Sequence, residues 1–125
     1  YHQSTQMKEH LEQYGTVMES WFPLGGRGQT QILFNDETVV SIAEAHDKTS
    51  AQIILRWHIQ SGDIVIPGSK NPAHIASNAD IFGFTLTESE MAEIAALDSG
   101  KRYYESMPEK LASYAAIVPD VDGQK

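Results

Sequence analysis

Apolar residues recur three and four positions apart through much of the chain, which predicts amphipathic helices. Asp36 is a favourable N-cap for one helix, and Thr49 with Gln52 forms a capping box at the start of the next. Thr87 and Glu90 form a second capping box at a later helix. The predicted inward-facing residues of these three helices are Val39, Val40, Ala43, Ile53, Ile54, Trp57, Met91, Ile94 and Leu97.

Three further helices are predicted from residues 4–14, 72–78 and 108–118. Gly15 follows the first of these segments and is typical of a helix C-terminus. Pro72 occupies the first position of the second, where its missing N–H costs nothing. The third segment shows a weaker pattern and predicts a looser helix.

Short apolar runs at residues 16–21, 64–66 and 81–84 predict three strands between these helices. The run at 64–66 is apolar throughout, so we expect that strand to be buried on both faces. Strands separated by helices pair in parallel, with helices covering the sheet. Three such strands make a poor independent domain, and a (β/α)₈ barrel usually needs about 250 residues. The sequence therefore predicts an α/β fold that is part of such a barrel, with about three parallel strands and flanking helices.

The composition narrows the possible partners. The chain has 125 residues, a formal net charge of −8 and no cysteine. A strongly negative protein repels a phosphate backbone, so we expect no nucleic-acid binding. No apolar run approaches the roughly 18 residues of a membrane span, and we expect no signal peptide. We therefore expect a cytoplasmic protein without membrane contact, disulfides or thiolate metal sites.

Residues 64–78 form the segment with the clearest chemical meaning. The apolar run ends at Pro67-Gly68-Ser69, and Asn71-Pro72 opens a new helix. A helix N-terminus that follows a loop of small residues presents free N–H groups and favours a phosphate. This segment therefore predicts a phosphate-binding turn.

Four segments together resemble the aldo/keto reductases: residues 21–28, 48–57, 66–69 and 71–78, of sequence WFPLGGRG, KTSAQIILRW, IPGS and NPAHIASN. The resemblance runs over about residues 1–101 and implies the C-terminal part of that (β/α)₈ barrel, from about the helix after strand five. Residues 102–125 would then be a C-terminal tail in the substrate-loop region. The family reduces small-molecule carbonyl compounds with a nicotinamide cofactor.

The resemblance also implies that this chain carries no catalytic residue. The family uses an Asp, a Tyr, a Lys and a His, and these precede the matched segments, so His2 is not the catalytic His. We therefore expect no reductase activity from the 125 residues alone, which would need the N-terminal half as a partner. Two alternatives stay open: a non-catalytic half-barrel that dimerises through exposed strand edges, and a proteolytic fragment.

The resemblance assigns the first part of a cofactor site to the glycine-rich segment. Trp21 corresponds to the aromatic residue that stacks on the nicotinamide ring, although a Trp at a strand end is also typical of a core. The glycines permit close approach to a pyrophosphate. Arg27 either pairs with a phosphate or is solvated. The residues of this part are Trp21, Phe22, Pro23, Leu24, Gly25, Gly26 and Arg27.

The second part would hold the adenosine-side phosphate and the adenine. Its residues are Gly68, Ser69, Lys70, His74 and Asn78. The family pattern often has Lys at the position of Gly68 and Arg at that of His74, and an imidazole lacks the planar fork with which Arg binds a 2′-phosphate. The cofactor is therefore NADP or NAD, and we expect either a reduced preference for NADPH or acceptance of NADH.

The remaining candidates are structural. His10, His46 and His58 show no spacing of metal ligands, so we expect them to be solvated or packed, and we predict no metal site. Arg56 and Trp57 are predicted to cover the outside of the barrel wall.

Overall fold

A computed structural model describes residues 2–26, 28–101 and 107–117. In this part of the chain, helices alternate with two short strands. The elements in chain order are α1 (Thr5–Glu12), β1 (Glu19–Trp21), α2 (Thr30–Phe34), α3 (Glu37–Ala45), α4 (Ser50–Gln60), β2 (Ile64–Ile66), α5 (Pro72–Ala79), α6 (Glu88–Ala95) and α7 (Pro108–Ala115). None of these helices has the length and apolar character to cross a bilayer.

The two strands form a parallel pair in which Glu19 lies opposite Ile64 and Trp21 opposite Ile66. The pairing confirms the predicted parallel arrangement. Because the strands run in the same direction, the segments that follow them leave the pair at the same edge. The glycine-rich segment and the loop that leads to α5 therefore both begin at this edge.

The core lies between α3, α4 and α6. Val39, Ile42, Ile53, Trp57 and Ile94 belong to one cluster of buried side chains. Ile53 is fully buried. The predicted structural role of Trp57 is confirmed, since its indole is nearly inaccessible in this cluster.

The predicted helix starts are confirmed by their side-chain caps. The Asp36 carboxylate accepts hydrogen bonds from Thr38 and Val39, and both predicted capping boxes form, at Thr49 with Gln52 and at Thr87 with Glu90. α5 begins with Pro72 as predicted, capped by the side chain of Asn71. Local sequence is enough to fix these ends because each cap uses residues at most three positions apart.

The predicted strand at 81–84 is wrong. This segment forms a bend in which Ile81 is buried and Phe82 is 72% exposed. Long side chains of α4 occupy nearby backbone acceptors: Gln52 donates to the carbonyl of Asp80, and Arg56 donates to that of Ile81. These bonds replace a strand ladder and confirm the structural role of Arg56. The described residues therefore hold two strands instead of about three.

The predicted burial of the second strand is also wrong. Ile64 is 49% exposed and Ile66 is 53% exposed, while Val65 is half-buried. Only one face of this strand is covered, on the side where α4 packs against β2. The other face carries the apolar side chains that the sequence pattern placed in a core. A smaller difference is that β1 covers Glu19–Trp21 instead of residues 16–21. The short helix α2 was not predicted.

Candidate functional site

Trp21 ends β1 on the uncovered face of the strand pair. Its side chain is 72% exposed in this part of the barrel. The Phe22 ring lies next to it, with ring centroids 4.3 Å apart and planes tilted by 50°. An exposed indole beside a second aromatic ring offers a flat apolar surface to a planar ligand.

A tight turn follows Trp21. Phe22 has a φ of 52°, in the left-handed region that costs a residue with a side chain about 1–2 kcal/mol. Gly25 donates its N–H to the Phe22 carbonyl at 2.9 Å, and Pro23 between them is buried. Leu24 packs against the hydrophobic core, so its side chain anchors the turn from below. Arg27 falls outside the described residues, and its predicted role stays a prediction.

Gly25 and Gly26 leave no room for larger residues in this turn. Both have positive φ, and a Cβ on Gly26 would approach Phe22 Cγ to 3.1 Å. A Cβ on Gly25 would lie 2.7 Å from Leu33 Cδ1 and 3.2 Å from the backbone of Gln29. The turn is therefore packed closely against the start of α2.

We expect Gly25→Ala to destabilise the chain more than Gly28→Ala does, by about 1–3 kcal/mol. Gly28 has a similar φ of 79°, but a Cβ there would meet nothing within 4 Å. The pair therefore separates the backbone penalty, common to both variants, from the steric clash found only at Gly25. Urea unfolding followed by circular dichroism measures the difference. Equal losses would mean that the turn does not pack against α2 as described.

The second predicted part of the site lies at the start of α5. Ser69 Oγ accepts a hydrogen bond from the Asn71 N–H at 3.1 Å, and Asn71 caps the helix at the Ala73 N–H. Lys70 and His74 are exposed on the first turns, and Asn78 is half-buried near the helix end. Gly68 is exposed, and a Cβ there would meet nothing within 4 Å. The turn is thus open to solvent, with a lysine beside the helix N-terminus.

An open groove of about 940 Å³ contains only the first part of the predicted site. Trp21, Phe22, Pro23, Gly25 and Gly26 line it, together with parts of α1 and α6. The α5 residues Ser69, Lys70, His74 and Asn78 lie outside that lining. The two parts therefore share an edge of the strand pair without sharing a cavity.

A buried polar cluster below the groove was not predicted from the sequence. Asp63 has a side chain only 3% exposed, and it accepts a hydrogen bond from Lys8 Nζ at 2.9 Å. His58 Nδ1 lies 2.9 Å from the same carboxylate oxygen. Burial lowers the pKa of His58 below its ordinary value, although the hydrogen bond to Asp63 and the Asp63 charge oppose that shift. The expectation that His58 is packed is confirmed.

Ser20, His58 and Asp63 do not form a nucleophilic triad. Ser20 Oγ lies 3.4 Å from His58 Nδ1, the same nitrogen that faces Asp63. A triad needs the serine and the carboxylate on opposite ring nitrogens. The described residues also contain no group of three or more His, Cys, Asp or Glu side chains that could hold a metal ion. This cluster is therefore a structural feature, which residues 8, 58 and 63 reveal only when the fold brings them together.

Comparison with known proteins assigns the family. The sequence model of the Aldo/keto reductase family matches residues 2–99. The chain belongs to this family. The resemblance read from four short segments is thereby confirmed over most of the chain.

Individual proteins agree with this assignment. The chain is 46% identical over 86 residues to the methylglyoxal reductase DkgA of Escherichia coli strain K12, a match that covers 67% of this chain and 30% of the relative. The structure also superimposes on MGS-M4, an aldo-keto reductase from a Medee basin deep-sea metagenome library, with a TM-score of 0.80 at 35% identity. The match covers 83% of this chain and 38% of the MGS-M4 chain. A point mutant of Gox0644 in complex with NADPH matches with a TM-score of 0.71 at 43% identity, over 78% of this chain and 34% of its own.

These matches also confirm the predicted fold class. A small parallel sheet with flanking helices that superimposes on aldo-keto reductases is part of their (β/α)₈ barrel. The chain spans about a third of the length of the curated relatives it matches, namely 34% and 30% for two mycobacterial proteins. The uncovered face of β1 and β2 is thus a face that a complete barrel encloses.

Proposed function

We propose that this chain is the C-terminal portion of an NAD(P)H-dependent aldo/keto reductase and carries much of its cofactor-binding site. The observation that carries the proposal is the shared edge of the parallel strand pair. The Trp21 turn and the start of α5 both leave the pair there, and barrel enzymes build their sites at this face. A relative at 43% identity was solved with NADPH, which supports the same cofactor class here.

Each part of the edge would hold one part of a dinucleotide. Trp21 stacks on the nicotinamide ring and limits which ring face is offered to substrate. The glycines Gly25 and Gly26 let the backbone of the turn approach the pyrophosphate closely. The open N-terminus of α5, with Ser69 and Lys70, binds the adenosine-side phosphate, and Asn78 reaches the adenine.

The bound cofactor would supply hydride to a small-molecule carbonyl compound, the substrate class named for DkgA. The residues of this chain bind and orient; no catalytic residue is assigned to them. We therefore propose that the 125 residues alone bind cofactor without turnover. We also propose that residues 1–101 belong to the barrel, that residues 102–125 form a tail near the substrate, and that the protein is cytoplasmic.

We expect Trp21→Ala to weaken NADPH binding about threefold to tenfold, because an aromatic pair contributes about 0.5–1.5 kcal/mol beyond its buried area. Titration of NADPH into the 125-residue chain, followed by calorimetry, measures the change. The same preparation is assayed for aldehyde reduction, and no turnover is expected.

Phe82→Ala is the matched control, since Phe82 is also 72% exposed and lies outside the proposed site. Its NADPH affinity is expected to equal that of the parent chain. Equal affinity of the Trp21 variant would remove Trp21 from the site, and aldehyde turnover by the isolated chain would refute the proposal that it lacks catalytic residues.

A second candidate function is that of a self-associating half-barrel. Ile64 and Ile66 are half-exposed beside Trp21, and an uncovered strand pair offers edges to another chain. A homodimer or the N-terminal part of a barrel would cover this face. Sedimentation velocity of the isolated chain tests for the homodimer. A stable dimer would support self-association, and a monomer at working concentration would contradict it.

A further inference from the structure

The Phe22 ring contacts the Trp21 indole, although the two residues are neighbours in sequence. Side chains of neighbouring residues in an extended strand point to opposite faces. Phe22 directly follows the last residue of β1 and departs from that pattern, since its φ of 52° lies in the left-handed region. Its ring centroid is 4.3 Å from that of Trp21. The departure from strand conformation thus coincides with a direct contact between the two rings.

Gly26 leaves free the space that the Phe22 ring occupies. A Cβ on Gly26 would lie 3.1 Å from Phe22 Cγ and 3.2 Å from Phe22 Cδ1. Both distances are shorter than an ordinary van der Waals contact, so the ring would have to shift by a few tenths of an ångström. The Phe22 ring therefore lies against the Trp21 indole and at the place that a side chain of residue 26 would need.

These contacts bear on both the backbone and the indole. A left-handed conformation at a residue with a side chain persists only where the surroundings stabilise it. The Trp21 side chain is 72% exposed, and exposed side chains change rotamer within picoseconds to nanoseconds unless a neighbour restricts them. Trp21 and Phe22 both line the groove, so a restraint on the indole acts on the surface that a planar ligand would meet.

We propose that Phe22 is a positioning residue, whose ring restricts the Trp21 indole to one orientation, and that Gly26 provides the space for that ring. The inference rests on the proposed function, because the orientation of the indole affects the reaction only if Trp21 stacks on the nicotinamide ring. Phe22 acts on the cofactor through Trp21.

The indole N–H groups of the ¹⁵N-labelled chain test this role without any cofactor. The chain has two tryptophans, and the buried Trp57 serves as an internal reference for the core. We expect the order parameter of the Trp21 indole N–H to lie above about 0.6 in the parent chain and to fall below about 0.6 in Phe22→Ala. An unchanged order parameter of Trp21 in this variant, with Trp57 also unchanged, would overturn the proposal.

Phe22→Tyr and Phe82→Ala are the controls. The tyrosine keeps the ring, and Phe22 is 47% exposed, so the added hydroxyl can reach water. Phe82→Ala removes an exposed ring outside the groove lining. Both variants are expected to preserve the order parameter of the Trp21 indole. A fall in either one as large as that in Phe22→Ala would overturn the proposal, because the effect would not depend on the ring at residue 22.

Gly26→Ala keeps the proposal testable if Phe22→Ala does not fold. We expect Gly26→Ala to displace the Phe22 ring and thereby to shift the Trp21 indole signal, although neither aromatic residue is changed. Gly28→Ala carries the same kind of backbone penalty, since Gly28 has a φ of 79°, but a Cβ there would meet nothing within 4 Å. It is expected to leave the Trp21 signal in place. Equal shifts in the two variants would contradict the proposed contact.

NADPH titration by calorimetry separates this proposal from the proposed function. We expect Phe22→Ala to weaken NADPH binding about threefold to tenfold in the parent chain and to have no further effect in a Trp21→Ala background. Additive losses would show that Phe22 contacts the cofactor itself, which would overturn the positioning role and leave the proposed function intact. If the parent chain binds no NADPH, the proposed function fails, and the order parameter of the indole decides whether Phe22 restricts Trp21.

Discussion

Replacing Ile53 by Ala is expected to lower the free energy of unfolding by about 2–5 kcal/mol, one of the largest effects of any single change in this chain. Ile53 is fully buried in the cluster that joins α3, α4 and α6. The truncation removes three carbons from a closely packed site and leaves a cavity that the surrounding helices only partly fill. Urea unfolding, followed by circular dichroism, measures the loss.

Ile66→Ala is the matched control, because it makes the same chemical change on the uncovered face of β2. Ile66 is 53% exposed, so we expect a loss of about 1 kcal/mol or less. A loss at Ile66 equal to that at Ile53 would contradict the description of this face as open. It would instead indicate that a second copy covers the strand pair in solution, as in the half-barrel alternative.

The second large effect concerns the choice of cofactor. We expect His74→Arg to raise the preference for NADPH over NADH about tenfold to a hundredfold, because a charge-assisted hydrogen bond contributes about 1.5–3 kcal/mol. His74 is exposed on the first turns of α5, so the longer guanidinium meets no obstacle in the described residues. Its planar fork matches the oxygens of a 2′-phosphate, and NADH lacks that group. The ratio of the two dissociation constants, measured by calorimetry, gives the result.

His10→Arg adds the same guanidinium on α1, away from α5, and controls for the change in net charge. It is expected to leave the ratio unchanged. If both variants raise the preference equally, the effect is a general electrostatic one. If His74→Arg changes nothing, the adenosine-side phosphate does not lie at the start of α5.

The helix ends were predictable because their causes are local. Thr49 with Gln52, and Thr87 with Glu90, are three positions apart, and each pair satisfies the free N–H groups of its own helix. The parallel pairing was also predictable, since a helix-rich connection separates the two strands. The periodicity of apolar residues and the capping residues are thus sufficient to predict the helix ends and the parallel pairing.

The remaining features depend on contacts between distant residues. The apolar run at 64–66 does not show whether one face of the strand is covered or both. The exposure of its side chains depends on which other elements pack against it. The segment at 81–84 has strand-like composition, but side chains of Gln52 and Arg56 occupy backbone acceptors there. No sequence pattern predicts that side chains from α4 would bond to the backbone of this segment.

The candidate site was also predictable only in part. Its residues were identified by the family resemblance, and the spacing of residues alone would not have identified them. The exposure of Trp21 and the left-handed Phe22 required coordinates. The same holds for Lys8 and Asp63, which lie 55 positions apart in sequence and meet in a buried ion pair.

The most direct test of the account is an NMR titration of the ¹⁵N-labelled 125-residue chain with NADPH. We expect saturable shifts of the amide signals in two separate segments, residues 21–26 and residues 68–78, and little change along α3. These segments leave the same edge of the strand pair, so we expect one ligand to contact both. Saturable shifts confined to other parts of the chain, or no shifts in either segment, would contradict the claim that this chain carries the cofactor-binding part of a reductase.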